Sequence, residues 1–230
     1  MKKIIAVVFA REKSKGLKNK NLLKFNNISL VELAIKQAKS IKLINEVYIS
    51  SDSKKIIKNA VKQKAIVPFI RPKKLASDKS AEILSWKHFI NYLKKKRIKA
   101  DYIVSIPPTA PLRSSSDIKN CIKLAIKKKY DVVLTITKSS KNPFFNMLMK
   151  KNNKFKLMKN KNTFFRRQDA PTFFDITTVC YVFKPDFIEN NNNLFSGKLG
   201  FVNVPKERAI DIDDKVDFKI ASLLSKYGKN

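Results

Sequence analysis

Glycine is scarce in this 230-residue chain, with four residues at Gly16, Gly197, Gly200 and Gly228. Neither Gly-x-Gly-x-x-Gly nor Gly-x-x-x-x-Gly-Lys-Ser/Thr can be written with those positions, which excludes the dinucleotide fingerprint and the P-loop. Any phosphate cradle must therefore rest on cations. Cysteine is scarcer still: Cys121 and Cys180 are the only two. They stand far apart with no Cys-x-x-Cys pair, so neither a disulfide framework nor a zinc site is supported, and a reducing cytoplasm fits. The one histidine, His88, falls inside an expected helix without partner residues and reads as packed or exposed rather than catalytic. No stretch approaches the ~20 apolar residues of a membrane span. The apolar start from Ile4 to Ala10 runs into Arg11, Glu12 and Lys13 with no small-residue cleavage site, so a soluble protein is expected. Acidic residues are few, 18 against 50 lysines and arginines, for a net charge of +32. The excess is spread over almost every segment instead of forming one block or face. That argues against a dedicated nucleic-acid arm, while the remaining excess favours an anionic partner: a nucleotide, a polyanion or a membrane surface.

What is present is an alternation of strands and helices. With 43% hydrophobic residues, the length suits one domain with a sizeable core. Ile4 to Phe9 is too short for a helix and β-branched enough for a strand buried on both faces. Ser29 with Glu32 has the form of a capping box, followed by Leu30, Leu33, Ala34, Ala38 and Ile41 at helical spacing. Val47 to Ile49 predicts a second strand ending at Ser50-Ser51-Asp52-Ser53, whose side chains can cap a helix over Ile56 to Val61. The pattern repeats with strands at Ala65 to Ile70, Tyr102 to Ile106 and Val132 to Ile136, and helices at Ala81 to Leu93 and Ile118 to Ile126. It breaks between 139 and 175 in a lysine- and asparagine-rich stretch, read as an antiparallel extension over a pocket or toward a second subunit. Strands at Ile176 to Phe183 and Gly200 to Val204 and a last helix at Val216 to Leu224 complete it. A parallel sheet covered on both sides follows.

The first loop, Ala10-Arg11-Glu12-Lys13-Ser14-Lys15-Gly16-Leu17-Lys18-Asn19-Lys20-Asn21, lies at the C-terminal end of the first strand, where open α/β sheets bind ligands. Its cations can surround a triphosphate; a solvated basic loop is the plain alternative. Asp211 and Asp213, two residues apart, point the same way on an extended segment and suit a shared Mg²⁺ site. Capping of the final helix by Asp213 or Asp214 is the rival reading.

Six motifs in one order then carry a resemblance across nearly the whole chain. They are Arg11-x-x-Ser14-Lys15-Gly16-Leu17-x-x-Lys20-Asn21, the Ser50-Ser51-Asp52-Ser53 turn, Arg71-Pro72-x-x-Leu75-Ala76-x-Asp78, Pro108-Thr109-Ala110-Pro111-Leu112-Arg113, Arg167-Gln168-x-x-Pro171 and Asp211-Ile212-Asp213. Together they resemble the sialic-acid-type cytidylyltransferases, the CMP-N-acylneuraminate synthetase family. The resemblance implies a single Rossmann-like α/β nucleotidyltransferase domain over residues 1–230, with a mostly parallel mixed sheet and a dimerising extension. It implies transfer of CMP from CTP to the anomeric hydroxyl of a nine-carbon 2-keto sugar acid, releasing pyrophosphate, by a cytoplasmic homodimer that uses Mg²⁺. Carried over residue by residue, Arg11, Lys15 and Lys20 neutralise phosphate charge. Arg11, Ser14, Asn21, Arg71, Ser77 and Asp78 hold the nucleotide; Arg167 and Tyr181 meet the acid sugar; Asp211 and Asp213 hold the metal. Pro107 replaces a glutamine usual in sialic acid synthetases, and Thr177-Thr178 replaces Asn-Gly. Asn142-Pro143-Phe144-Phe145-Asn146 looks more like relatives that use legionaminic acid. A sister family acting on the eight-carbon acid Kdo is the nearest alternative. A nucleic-acid-binding protein is the alternative from another class, weakened by the lack of a recognition module.

Overall fold

The computed structural model describes residues 2–14, 16–78, 80–158, 164 and 166–227. The elements in chain order are β1 (Ile4–Phe9), β2 (Lys24–Phe25), β3 (Ile28–Ser29), α1 (Leu30–Lys39), β4 (Glu46–Ser50), α2 (Lys54–Lys62), α3 (Glu82–Lys95), β5 (Tyr102–Ser105), α4 (Ser115–Lys128) and β6 (Val132–Lys138). They continue with β7 (Leu148–Lys151), β8 (Lys154–Leu157), β9 (Phe174–Phe183), α5 (Pro185–Asn190), β10 (Leu199–Asn203) and α6 (Lys215–Tyr227).

β1 is buried along its length because its alternate side chains enter two different cores. Ile4, Ala6 and Val8 pack with Val31 and Ile35 of α1, Ile56 of α2 and Ile118 and Ile122 of α4. Ile5 and Val7 face Trp86, Phe89 and Ile90 of α3 on the other side. The capping box forms: Ser29 accepts from the Glu32 N–H, and Glu32 reaches back to the Ser29 N–H at 2.9 Å. The Ser53 side chain, by contrast, makes no capping bond to α2. It donates to Glu12 Oε1 at 3.0 Å, while the Glu12 N–H donates to Asp52 Oδ1 at 2.9 Å. The serine-rich turn thus ties the first loop to the end of β4.

The main sheet has the order β10-β6-β9-β5-β1-β4. It is parallel except for β9, which runs antiparallel to both β5 and β6. An all-helical crossover would force parallel pairing; β9 instead returns from β6 through the extension, a connection that permits antiparallel pairing. The strand expected at Ala65 to Ile70 reduces to two isolated bridges, Tyr48 with Ile66 and Ser51 with Ile70. Pro68 lies between them and supplies no N–H to a ladder.

The extension carries the hairpin β7–β8, turned at Asn152 and Asn153 with φ of 48° and 57°. Asparagine tolerates that left-handed region, and a two-residue turn of this kind matches strand twist. The hairpin exposes Leu148, Met149 and Phe155. Among the described residues no helix is long and apolar enough to cross a membrane.

Candidate active site

Four of the six motifs converge on one cleft of about 600 Å³ at the C-terminal edge of β1, β4 and β5. Arg11, Ser14, Lys20, Asn21, Arg71, Ser77, Asp78 and Asp213 all line it. Lys15 lies outside the described residues. The first loop is braced from within, because Asn21 is buried and its Nδ2 donates to the Arg11 carbonyl at 2.8 Å. Leu17 anchors the loop in a small core with Phe25, Leu30, Ile212 and Ala221. Gly16 is required by close approach rather than by flexibility: a Cβ there would stand 2.2 Å from the Asp213 carbonyl oxygen. That contact joins residues nearly two hundred positions apart and brings the cationic loop against the late aspartates.

Two cations of the loop hold carboxylates. Arg11 Nη1 pairs with Asp78 Oδ1 at 2.5 Å, and Lys20 Nζ with Asp213 Oδ1 at 3.0 Å. An incoming triphosphate would compete for both, so the loop is held open for ligand by ion pairs that cost little to exchange near solvent. Arg71 is buried; its Nε donates to Ser50 Oγ at 3.1 Å and its Nη2 to the Ser50 carbonyl. The guanidinium lies 5.5 Å from the centre of the Phe9 ring. Burial pulls its pKa down to about 10, opposed by Asp52 and Glu82. Arg113 shapes the neighbouring loop. Its Nε donates to the Ala110 carbonyl at 2.7 Å and its Nη2 to that of Pro107, presenting Pro107, Pro108 and Thr109 to the cleft.

The Asp211-Ile212-Asp213 segment lies in no helix or strand. Ile212 is fully buried, and its N–H donates to the Thr109 carbonyl at 2.8 Å. Ile212 itself turns into the small core around Leu17 and Phe25. The rival capping role belongs to Asp214, whose Oδ1 accepts from the Val216 and Asp217 N–H groups at 2.7 and 3.0 Å. Asp217 Oδ2 accepts in turn from the Asp213 and Asp214 N–H groups. Asp211 Oδ1 is buried without a hydrogen-bond partner among the described residues. Asp213 lines the cleft and Asp211, two residues earlier, does not; a buried carboxylate oxygen without a partner among the described residues is nonetheless a hard-oxygen donor of the kind Mg²⁺ takes. Among the described residues no group of three or more His, Cys, Asp or Glu forms a complete protein cage.

Tyr181 and Arg167 are not brought together. Tyr181 lines a second, apolar pocket of about 430 Å³ with Ile83, Trp86, Leu134, Ile176 and Phe195. Burial raises its phenol pKa, as do the nearby Glu82 and Asp211. Arg167 lies on the extension, in a separate hollow with Lys138, Ser139 and Asn142. Between Leu134 and Thr135 the pairing with β9 jumps from Tyr181 to Thr177. This bulge falls at Thr177-Thr178 and is pinned by Thr135 Oγ1, which accepts from Thr177 Oγ1 at 2.7 Å and donates to the carbonyl of Thr177 or Cys180. It sets the direction in which Tyr181 leaves the sheet. His88 stacks edge-on against Phe69 at 4.4 Å and takes no part in the cleft. Sequence reasoning missed Glu82, which lines both cavities, and the walls Phe9, Ser80 and Ser85. Their only signal was position, at the end of the first strand for Phe9 and after Ser77-Asp78 for the others.

The flagellin modification protein B of Campylobacter coli is 34% identical, over 98% of this chain and 96% of that protein. A CMP-N,N'-diacetyllegionaminic acid synthase of Campylobacter jejuni is 33% identical over 97% and 95%. The solved CMP:2-keto-3-deoxy-manno-octonic acid synthetase complexed with CTP shares the fold, with a TM-score of 0.72 at 12% identity, covering 98% of this chain and 99% of that one. Residues 5–219 match the family described as Cytidylyltransferase. The chain therefore belongs to the cytidylyltransferase family and is a nucleotidyltransferase.

Proposed function

We propose that the chain transfers CMP from CTP to the anomeric hydroxyl of a sialic-acid-like nonulosonic acid, of the N-acylneuraminate or legionaminate type. The observation that carries this reading is the adjacency of two unlike cavities. A charged cleft suited to a nucleoside triphosphate shares Glu82 with an apolar pocket suited to the acyl and deoxy groups of a modified sugar acid. The anomeric hydroxyl gives up its proton to solvent as its oxygen forms a bond to the α-phosphorus, the bond from that phosphorus to the bridging oxygen breaks, and pyrophosphate leaves. Arg11 and Lys20 neutralise the phosphate oxygens, exchanging Asp78 and Asp213 for ligand. Lys15 joins them by resemblance. Ser14 and Asn21 line the same wall. Asp211 and Asp213 would hold Mg²⁺, which supplies charge neutralisation between the phosphates.

Tyr181 lies on the acceptor side, while Arg167 sits on the extension away from it. A homodimer in which the exposed β7–β8 hairpin packs on a second copy would let Arg167 meet a sugar carboxylate there. Cytoplasmic residence is supported by Cys121 and Cys180, both buried and unpaired. Pyrophosphate release from CTP with Mg²⁺ tests the reading, with N-acetylneuraminic, legionaminic and pseudaminic acids and Kdo supplied one at a time. Release with a nine-carbon acid is expected. Release with Kdo alone would move the enzyme to the sister reaction, and silence with all four from folded protein would overturn the acceptor class.

A further inference from the structure

Between β10 and α6 the chain forms a strap that reaches the cleft at Asp213, beside the first loop. Three contacts hold the strap to the segment from Pro107 to Asp117, whose Pro107, Pro108 and Thr109 also line the cleft. The Ile212 N–H donates to the Thr109 carbonyl at 2.8 Å, and Ala209 packs in a small apolar cluster with Ala110, Val179 and Val204. The third contact is ionic. Arg208 Nε donates to Asp117 Oδ2 at 3.0 Å and Arg208 Nη2 to Asp117 Oδ1 at 2.9 Å, a two-pronged fork. Asp117 lies in the first turn of α4, and its Oδ2 also accepts from the Ser114 N–H at 2.8 Å. Its side chain is 4% exposed, against 27% to 76% for the carboxylates of the other ion pairs among the described residues. Exposed pairs exchange partners at little cost, whereas a buried carboxylate that loses its partner is left uncompensated, so this fork is a fixed point.

We propose that Arg208 is a positioning residue for the transfer reaction: its fork on Asp117 fixes the register of the strap over the Pro107–Asp117 segment, and with it the place at which Asp213 enters the cleft. Arg208 does not line the cleft, so it acts through the strap. The Asp213 carbonyl stands where a Gly16 Cβ would be, and the Asp213 carboxylate pairs with Lys20. A slip of the strap therefore moves a carboxylate, its lysine and the turn of the cationic loop together. Transfer at phosphorus tolerates little misplacement, and a shift of about 1 Å costs on the order of a hundredfold in rate. Arg113 cannot take over the fork, because its Nε and Nη2 are committed to the Ala110 and Pro107 carbonyls. Lysine at position 208 would keep the charge and lose the planar two-pronged geometry that sets direction.

The inference rests on the cytidylyl reading for its kinetic arm, and a second arm needs no acceptor. Arg208→Gln, Arg208→Lys and Asp117→Asn are compared with wild type at a temperature where thermal melts show every variant folded. Hydrogen exchange of the peptide 209–214 reads the strap, with and without CTP and Mg²⁺, and kcat and KM are read with the acid that supports turnover. Arg208→Gln should speed strap exchange about tenfold while β1 and β5 exchange as in wild type. It should lower kcat about tenfold or more and move KM for CTP less. CTP with Mg²⁺ should slow strap exchange in wild type and fail to do so in Arg208→Gln. Arg208→Lys should recover little of the loss, and Arg208→Gln combined with Asp117→Asn should be no worse than either change alone. Wild-type strap exchange or wild-type kcat in folded Arg208→Gln would overturn the proposal, as would additive losses in the double variant. If wild type turns over none of the acids while Arg208→Gln still frees the strap and abolishes its protection by CTP, the acceptor reading fails and the positioning role stands.

Discussion

The two cavities that share Glu82 were assembled in opposite ways. The cleft draws its lining from the first loop, the Arg71–Ser85 stretch, the Pro107–Thr109 loop and the late aspartates. Each of these segments holds charged or backbone-fixing residues in a recognisable order. The pocket beside it takes Trp86 from α3, Leu134 from β6, Ile176 and Tyr181 from β9 and Phe195 from the loop after α5. Those residues follow the same apolar periodicity as the core around them. Catalysis of phosphoryl-type transfer needs specific charges at fixed places, and this leaves a signature. Recognition of an apolar substituent needs only shape and surface, which any packed side chain can supply.

The comparison predicts that damage in the cleft stops chemistry and damage in the pocket changes the acceptor. The largest effect is expected for Asp211→Ala, which should abolish Mg²⁺-dependent turnover with an unchanged melting temperature; full activity in steady-state assays would remove the metal assignment. Arg11→Ala should lower kcat about a hundredfold or more by withdrawing charge stabilisation from the transferring phosphoryl group. An unchanged rate would reduce the loop to a solvated basic segment. The smallest effect should come from Phe195→Ala. Phe195 is 56% exposed, so trimming it should cost little stability, yet it should raise KM for the sugar acid about tenfold while leaving CTP binding intact. A matching rise in KM for CTP would mean that the two cavities do not divide the substrates.

Much of the cleft was legible because its residues are polar and would otherwise be unexplained. Arg71 and Asn21 are buried polar groups that need partners, and Ser14, Lys20 and Asp213 flank turns in a fixed order. Glu82 was not legible. A glutamate at the start of a helix is ordinary dipole chemistry, and nothing in its neighbours says that it faces a ligand. The failure at Ala65 to Ile70 has a similar cause. Its β-branched pattern is that of a strand, but Pro68 and an edge position leave two bridges in place of a ladder.

The sequence by itself determined the alternation of strands and helices and the capping box that starts α1, because these depend on local order and residue type, and its ordered motifs carried the resemblance from which the chemical class of the reaction followed. Tertiary structure decided the rest. It reversed β9, since the extension rather than a helix connects it to β6. It gave the helix cap to Asp214 and left Asp211 Oδ1 buried without a hydrogen-bond partner among the described residues. It placed Gly16 against Asp213, where no Cβ fits. It also put Glu82 on the wall between two cavities. Each of these is a contact between distant segments, fixed by packing on a shared sheet edge, which no local pattern encodes.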